Sequence, residues 1–351
     1  MGFRGSEDTA AIDDHGGSLE RAQALFPHAA QPWLDLSTGI NPHSYPVSAL
    51  PATAFSRLPE PGRIAALEAR AAAAYGVRPP ARTVASPGTQ ILLPLVAALV
   101  APGGAAILSP TYAEHRRAAT LAGHRVTETQ DLAALAEASL AVVVNPNNPD
   151  GRVTDRDTLL ALADRLGARG GVLVVDEAFM EAAGAGVESL AGHAGRPGLV
   201  VLRSFGKFYG LPGLRLGFAL ADPKLAAAIA GRLGPWAVSG PALETAMTAL
   251  ADRDWQVAMR GRLADETGRL GTLLLEHGLA VTGGTGLFCC VDHADAPRLF
   301  DTLGAHGILV RNFAGQKQRL RFGLPPDESG WSRLSNALAS WRRSAPQRES
   351  A

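Results

Sequence analysis

The chain has 351 residues, enough for about two domains at ~150 residues each, with 33 basic and 33 acidic residues and a net charge of zero. That balance excludes a surface built for nucleic acid or an anionic membrane. A composition of 46% hydrophobic and 19% charged residues excludes a disordered chain. The two cysteines, Cys289 and Cys290, are adjacent, which excludes a disulfide framework and a four-cysteine zinc site, and no metal is expected.

The first twenty residues carry Glu7, Asp8, Asp13 and Asp14 and do not read as a secretory signal. The most apolar stretch, residues 91–102, is broken by Pro94 and falls short of the ~20 residues a membrane span needs. A cytoplasmic protein is expected. Apolar runs predict strands at 82–85, 105–109, 125–128, 140–144, 172–175, 199–203 and 216–219. Helical spacing predicts helices at 89–101, 112–121 and 155–166 between them. This alternation gives an α/β fold, a mainly parallel central sheet sandwiched by helices. Ligands of such sheets sit at the carboxyl ends of the strands.

After about residue 235 the texture changes. Helical patterns fill 241–277. Strands at 279–282, 287–291, 308–310 and 320–322, with helices at 296–303 and 331–341, predict a smaller α+β C-terminal domain. The expected organisation is an N-terminal arm (1–40) packing with the small domain, a large domain (41–235), connecting helices (236–275) and the small domain (276–351).

Lys207, Lys224 and Lys317 are the only lysines. Lys207 lies in a glycine-dense segment, Ser204-Phe205-Gly206-Lys207-Phe208-Tyr209-Gly210-Leu211-Pro212-Gly213-Leu214-Arg215, directly after a strand. Glycines let backbone approach a ligand, and Ser204 and Arg215 supply a phosphate-binding pair. Upstream, the strand at 172–175 ends in Asp176 and Glu177, and the strand at 140–144 runs into Asn145-Pro146-Asn147-Asn148-Pro149-Asp150-Gly151. Gly88-Thr89-Gln90 opens a helix, whose N–H groups suit a phosphate. Pro110-Thr111-Tyr112 follows the next strand.

In this order the motifs resemble those of the fold-type I pyridoxal-phosphate enzymes, the class I and II aminotransferase superfamily. The resemblance implies an aminotransferase-like fold type I with pyridoxal 5'-phosphate as cofactor, bound by the large domain. It implies Lys207, Asp176 and Tyr112 as catalytic residues. Lys207 anchors the cofactor covalently, Asp176 holds its ring nitrogen and Tyr112 stacks on its ring. Gly88, Thr89, Gln90, Ser204 and Arg215 are implied at the phosphate, and Asn148 at the phenolic oxygen. Phe179 stands where many relatives carry a tyrosine, which shifts weight to Asn148, and Asp150 replaces a threonine. Arg321 matches the arginine that grips the substrate α-carboxylate, with Arg319 and Arg311 as fallbacks. Tyr45 matches a tyrosine lent to the partner subunit's cofactor phosphate, and a homodimer is implied.

His15-Gly16-Gly17 and Leu34-Asp35-Leu36-Ser37-Thr38-Gly39-Ile40-Asn41-Pro42 resemble the opening of the branch that decarboxylates L-threonine O-3-phosphate on the route to cobalamin. The sister branch transaminates histidinol phosphate. Either way the partner is a small phosphorylated substrate, with no nucleic acid and no membrane. His15 and Arg311 are expected near its phosphate. Gly39, Ile40, Asn41, Asn148 and Arg321 complete the expected substrate contacts, with Asn41 and Arg321 near the α-carboxylate. A third reading, a cofactor-sensing regulator, is disfavoured by the zero net charge and by the lack of a basic helix ahead of the motifs.

Overall fold

The computed structural model describes residues 15–344. These fall into two units, Ser44–Met259 and residues 15–43 with 260–344. Strand β1 (Leu34–Leu36) belongs to the second unit. The first is built on β2 (Arg82–Ser86), β3 (Gly104–Leu108), β4 (Arg125–Thr129), β5 (Leu140–Val144), β6 (Val172–Asp176), β7 (Leu199–Ser204) and β8 (Gly217–Ala221). They form one sheet in the order β2-β8-β7-β6-β5-β3-β4.

The sheet is mainly parallel. Only β8 is reversed, running antiparallel to both β2 and β7. The connection explains this: residues 205–216 hold a four-residue helix and a 3-10 turn in place of a full crossover helix, so the chain returns antiparallel. Every residue of β5, β6, β7 and β8 is buried, as apolar strands covered on both faces must be. Edge strand β4, with the sequence RVTET, has no buried residue.

Helices start where a side chain can take up their free N–H groups. Asp155 accepts from Thr158 N, Asp222 from Lys224 N and Leu225 N, and Ser239 from Ala242 N. Leu92, Leu93 and Val96 of helix Thr89–Ala97 pack with Ile229, Val142, Val174 and Leu202 in the core. Helices Pro61–Tyr75 and Pro223–Leu233 are not marked by the sequence pattern. Both are alanine-rich, and alanine favours helix without marking a face.

The second unit adds β9 (Val281–Thr285), β10 (Phe288–Asp292), β11 (Ile308–Asn312) and β12 (Arg319–Gly323). Its sheet order is β1-β11-β12-β10-β9, with β1 parallel to β11 and the others antiparallel. Helix Glu328–Arg343 buries Trp331, Leu334, Leu338 and Trp341, one stripe at helical spacing. No helix of the described residues is long and apolar enough to cross a membrane.

Candidate functional site

Val144, Asp176 and Ser204, the last residues of β5, β6 and β7, open onto a cavity of about 170 Å³ within the first unit. Its wall also contains Gly88, Thr89, Gln90, Tyr112, Asn148, Phe179, Lys207 and Arg215. The fold thus brings together every cofactor candidate of this unit except Tyr45.

One end of the cavity is an anion cradle. Gly88 has φ 86 and precedes helix Thr89–Ala97, whose first turn has no side-chain cap. A Cβ on Gly88 would lie 2.8 Å from Arg215 Nη2, so the guanidinium rests against the glycine. A Cβ on Gly217 would lie 2.7 Å from Thr89 N, so β8 and the helix start meet backbone to backbone. Arg215 itself adopts φ 52, the left-handed region, at a cost of about 1–3 kcal/mol for a residue other than glycine. Uncapped N–H groups, a guanidinium and the Ser204 hydroxyl together fit a phosphate group.

At the end of β6, Asp176 is 5% exposed. Its Oδ2 lies 3.0 Å from His115 Nε2, and its Oδ1 accepts from Ala178 N at 3.1 Å. His115 is equally buried and stands edge-on to Tyr112 at 6.0 Å. The sequence reading gives His115 no role. Its spacing of three from Tyr112 across a helix start is the signal that was available. The Tyr112 hydroxyl donates to Gln90 Oε1 (3.0 Å), and Gln90 Nε2 donates to Glu114 Oε2 (2.7 Å). Gln90 therefore uses its side chain to tether the tyrosine, a contact that the motif alone does not announce.

The asparagine turn is braced internally. Asn145 exchanges two hydrogen bonds with Thr154, at 3.1 and 2.8 Å. Asn147 accepts from Thr111 Oγ1 (2.6 Å) and donates to Pro110 O (2.9 Å) and Asp150 Oδ1 (2.7 Å). Asn148 is the asparagine of this turn that lines the cavity.

Lys207 lies in the short helix Phe205–Phe208, with its Nζ 5.7 Å from the centre of the Phe179 ring. The turn is held by aromatic packing. Tyr209 stacks on Phe205 at 4.4 Å and on Trp255 at 5.6 Å, and Phe208 meets Trp255 edge-on.

Tyr45 stands apart from this cavity. It is buried in that same aromatic group, edge-on to Tyr209 and Trp255, and its hydroxyl donates to Asp252 Oδ2 at 3.0 Å. It forms no part of the cavity wall. Burial first, and then the Asp252 carboxylate, raise its phenol above the usual range. An amphipathic ring with a carboxylate beside its hydroxyl is satisfied by this pocket. Tyr45→Phe is expected to lower stability by about 1.5 kcal/mol, the worth of a hydrogen bond to a charged acceptor, read by urea denaturation of the apoprotein.

The remaining candidates lie in the second unit. His15 and Arg311 line a small cleft there together with Ser18, Arg21 and Ser37. Arg321 faces Arg311 across β11 and β12, donates to Ser37 O at 2.8 Å and lies 4.8 Å from the Phe288 ring centre. Burial first, and then the like charge of Arg311, lower the Arg321 guanidinium to about 10. Arg319 is held by Asp292 in a two-point contact, 2.7 Å at each end. Gly39, Ile40 and Asn41 follow β1, and Asn41 Oδ1 accepts from His43 N at 2.8 Å.

The model of the family "aminotransferase class I and II" matches residues 31–336. A threonine-phosphate decarboxylase of Pseudomonas aeruginosa is 43% identical over 95% of this chain and 99% of its own length. One from a Sinorhizobium species is 45% identical over 93% and 97%. The structure of histidinol-phosphate aminotransferase from Sinorhizobium meliloti with pyridoxal-5'-phosphate superposes with a TM-score of 0.75 at 25% identity, covering 84% of this chain and 85% of that one. With the cradle, the lysine turn and the strand-end aspartate in one cavity, the chain belongs to the class I and II aminotransferase family.

Proposed function

We propose that this chain is a pyridoxal-phosphate-dependent carboxy-lyase. It converts L-threonine O-3-phosphate to (R)-1-aminopropan-2-yl phosphate and CO₂, a step of cobalamin biosynthesis. The observation that carries this is the 43% identity to the Pseudomonas decarboxylase over nearly the full length of both chains.

When bound, pyridoxal phosphate supplies a ring that takes up the electron pair released at the substrate α-carbon. The chain's residues do the rest. The N–H groups of Thr89 and Gln90, beside Gly88, bind the cofactor phosphate together with Ser204 and Arg215. Tyr112, tethered through Gln90, sets the ring face, and Asn148 donates to the phenolic oxygen. Asp176 keeps a proton on the ring nitrogen, with His115 fixing the carboxylate. Lys207 Nζ holds the cofactor and delivers a proton to the α-carbon after CO₂ leaves.

The substrate brings two anionic ends. We assign its α-carboxylate to Arg321 and Asn41, with the backbone of Gly39 and Ile40 beside them, and its phosphate to His15 and Arg311. Two guanidiniums facing each other across β11 and β12 suit an anionic ligand. Holding both ends determines which bond at the α-carbon is aligned for cleavage.

We also assign a homodimer in the cytoplasm. Val47, Phe55 and Leu58 remain exposed on the first unit, in keeping with a protein partner.

The test is mass spectrometry of products from protein, pyridoxal phosphate and L-threonine O-3-phosphate with no keto acid. Catalytic accumulation of 1-aminopropan-2-yl phosphate is expected. Unchanged substrate, with glutamate formed from histidinol phosphate and 2-oxoglutarate, overturns the proposal in favour of transamination. A histidinol-phosphate aminotransferase of Roseiflexus castenholzii is 32% identical over 68% of this chain.

A further inference from the structure

Two buried charged residues have no part in the chemistry above. Glu177 is fully buried and follows Asp176; Arg203 is 4% exposed and precedes Ser204. Successive side chains alternate across a strand, so this pair lies behind two residues of the cavity wall. Arg203 Nη1 donates to Glu177 Oε2 at 2.8 Å, and Nη2 lies 3.2 Å from Glu181 Oε1. The guanidinium also sits over the Tyr75 ring, 4.4 Å from its centre.

Glu177 makes further contacts. Its Oε1 accepts from Leu190 N at 2.7 Å, and its Oε2 accepts from Ser189 Oγ at 2.5 Å. Those bonds close the loop between Glu177 and Ser189, whose first residues, Ala178 and Phe179, are cavity wall. One carboxylate therefore ties together the end of β6, this loop and the end of β7.

We propose that Glu177 and Arg203 are positioning residues of the cofactor site: their ion pair sets Asp176, Phe179 and Ser204 relative to one another. This rests on the reading of the cavity as the pyridoxal-phosphate site. The donor geometry requires a carboxylate. With a carboxamide in its place, oxygen at the ε2 position turns an NH₂ toward Leu190 N–H, and the flipped amide turns it toward the Arg203 guanidinium. Neither orientation satisfies all the donors. A buried ion pair is in general a weak source of stability, often replaceable by apolar side chains. The structural role alone therefore leaves the choice of these two charges unexplained.

The experiment compares three proteins: the wild type, Glu177→Gln, and the triple variant Glu177→Leu, Glu181→Gln and Arg203→Met, which removes all three buried charges together. Apoprotein melting reports the fold. Titration with pyridoxal phosphate gives the dissociation constant, and the visible absorbance band reports the cofactor's surroundings. Both variants are expected to weaken cofactor binding about ten-fold, the scale of a lost supporting contact, and to shift the band, even where the triple variant melts at the wild-type temperature. Should Glu177→Gln fail to fold, the triple variant alone decides. Wild-type affinity and an unshifted band in a folded variant overturn the positioning role. A wild-type protein that takes up no pyridoxal phosphate overturns the cofactor reading and this proposal with it.

Discussion

A Lys207→Ala protein shows no visible absorbance from covalently held cofactor, and its turnover falls by roughly 10⁴-fold. No other amine can substitute. Lys224 is exposed at the start of helix Pro223–Leu233, and Lys317 is exposed in the segment before β12. Lys207 is one side chain of a turn whose rigidity comes from its neighbours: Phe208 and Tyr209 are buried against Trp255, and Phe205 is buried against Tyr209. Truncation at Lys207 leaves that packing in place, so the thermal midpoint of the apoprotein is expected to stay close to wild type. Absorbance spectroscopy and product formation check the two halves of this expectation. Turnover near the wild-type level removes Lys207 from the chemistry.

Asp176→Asn is the second large effect, a loss of roughly 10³-fold in kcat with a smaller change in KM. The replacement keeps the shape of the side chain and removes its charge. A carboxylate 5% exposed and paired with a buried imidazole is well placed to hold a proton on a ring nitrogen. A carboxamide keeps one acceptor for Ala178 N and turns its NH₂ toward His115 Nε2, which accepts it in the Nδ1–H tautomer, so the fold is expected to persist while the ring nitrogen loses its counter-charge. Steady-state product formation separates kcat from KM; an unchanged kcat assigns the nitrogen's partner to another group.

The cavity residues were legible because each carries a local chemical signal. A glycine before a helix, a scarce lysine among glycines, an acid closing an apolar strand and an Asn-Pro turn are all read from a few adjacent letters. What escaped depends on strand neighbours. Glu177 and Arg203 meet because β6 pairs with β7, and Arg311 faces Arg321 because β11 pairs with β12. His115 becomes the partner of Asp176 once helix Glu114–Leu121 lies against the sheet. The strand boundaries were close, since apolar runs end where burial ends. Helix Pro61–Tyr75 was invisible because alanine has too little contrast to mark a face. The aromatic surroundings of Tyr45, set by residues as distant as Trp255, were not legible in its loop pattern.

The reversed strand β8 has a consequence for how the protein is made. Arg82 pairs with Ala221 and Ser86 with Gly217, a contact far more non-local than those of its parallel neighbours. On the ribosome, where chains grow at about 5–20 residues per second, Gly88 is exposed many seconds before Arg215 exists. Since β2 joins the sheet through β8, the phosphate cradle closes only once β8 has emerged. The nascent chain has nowhere to bind its cofactor, which is therefore a ligand of the finished domain and no nucleus for its assembly.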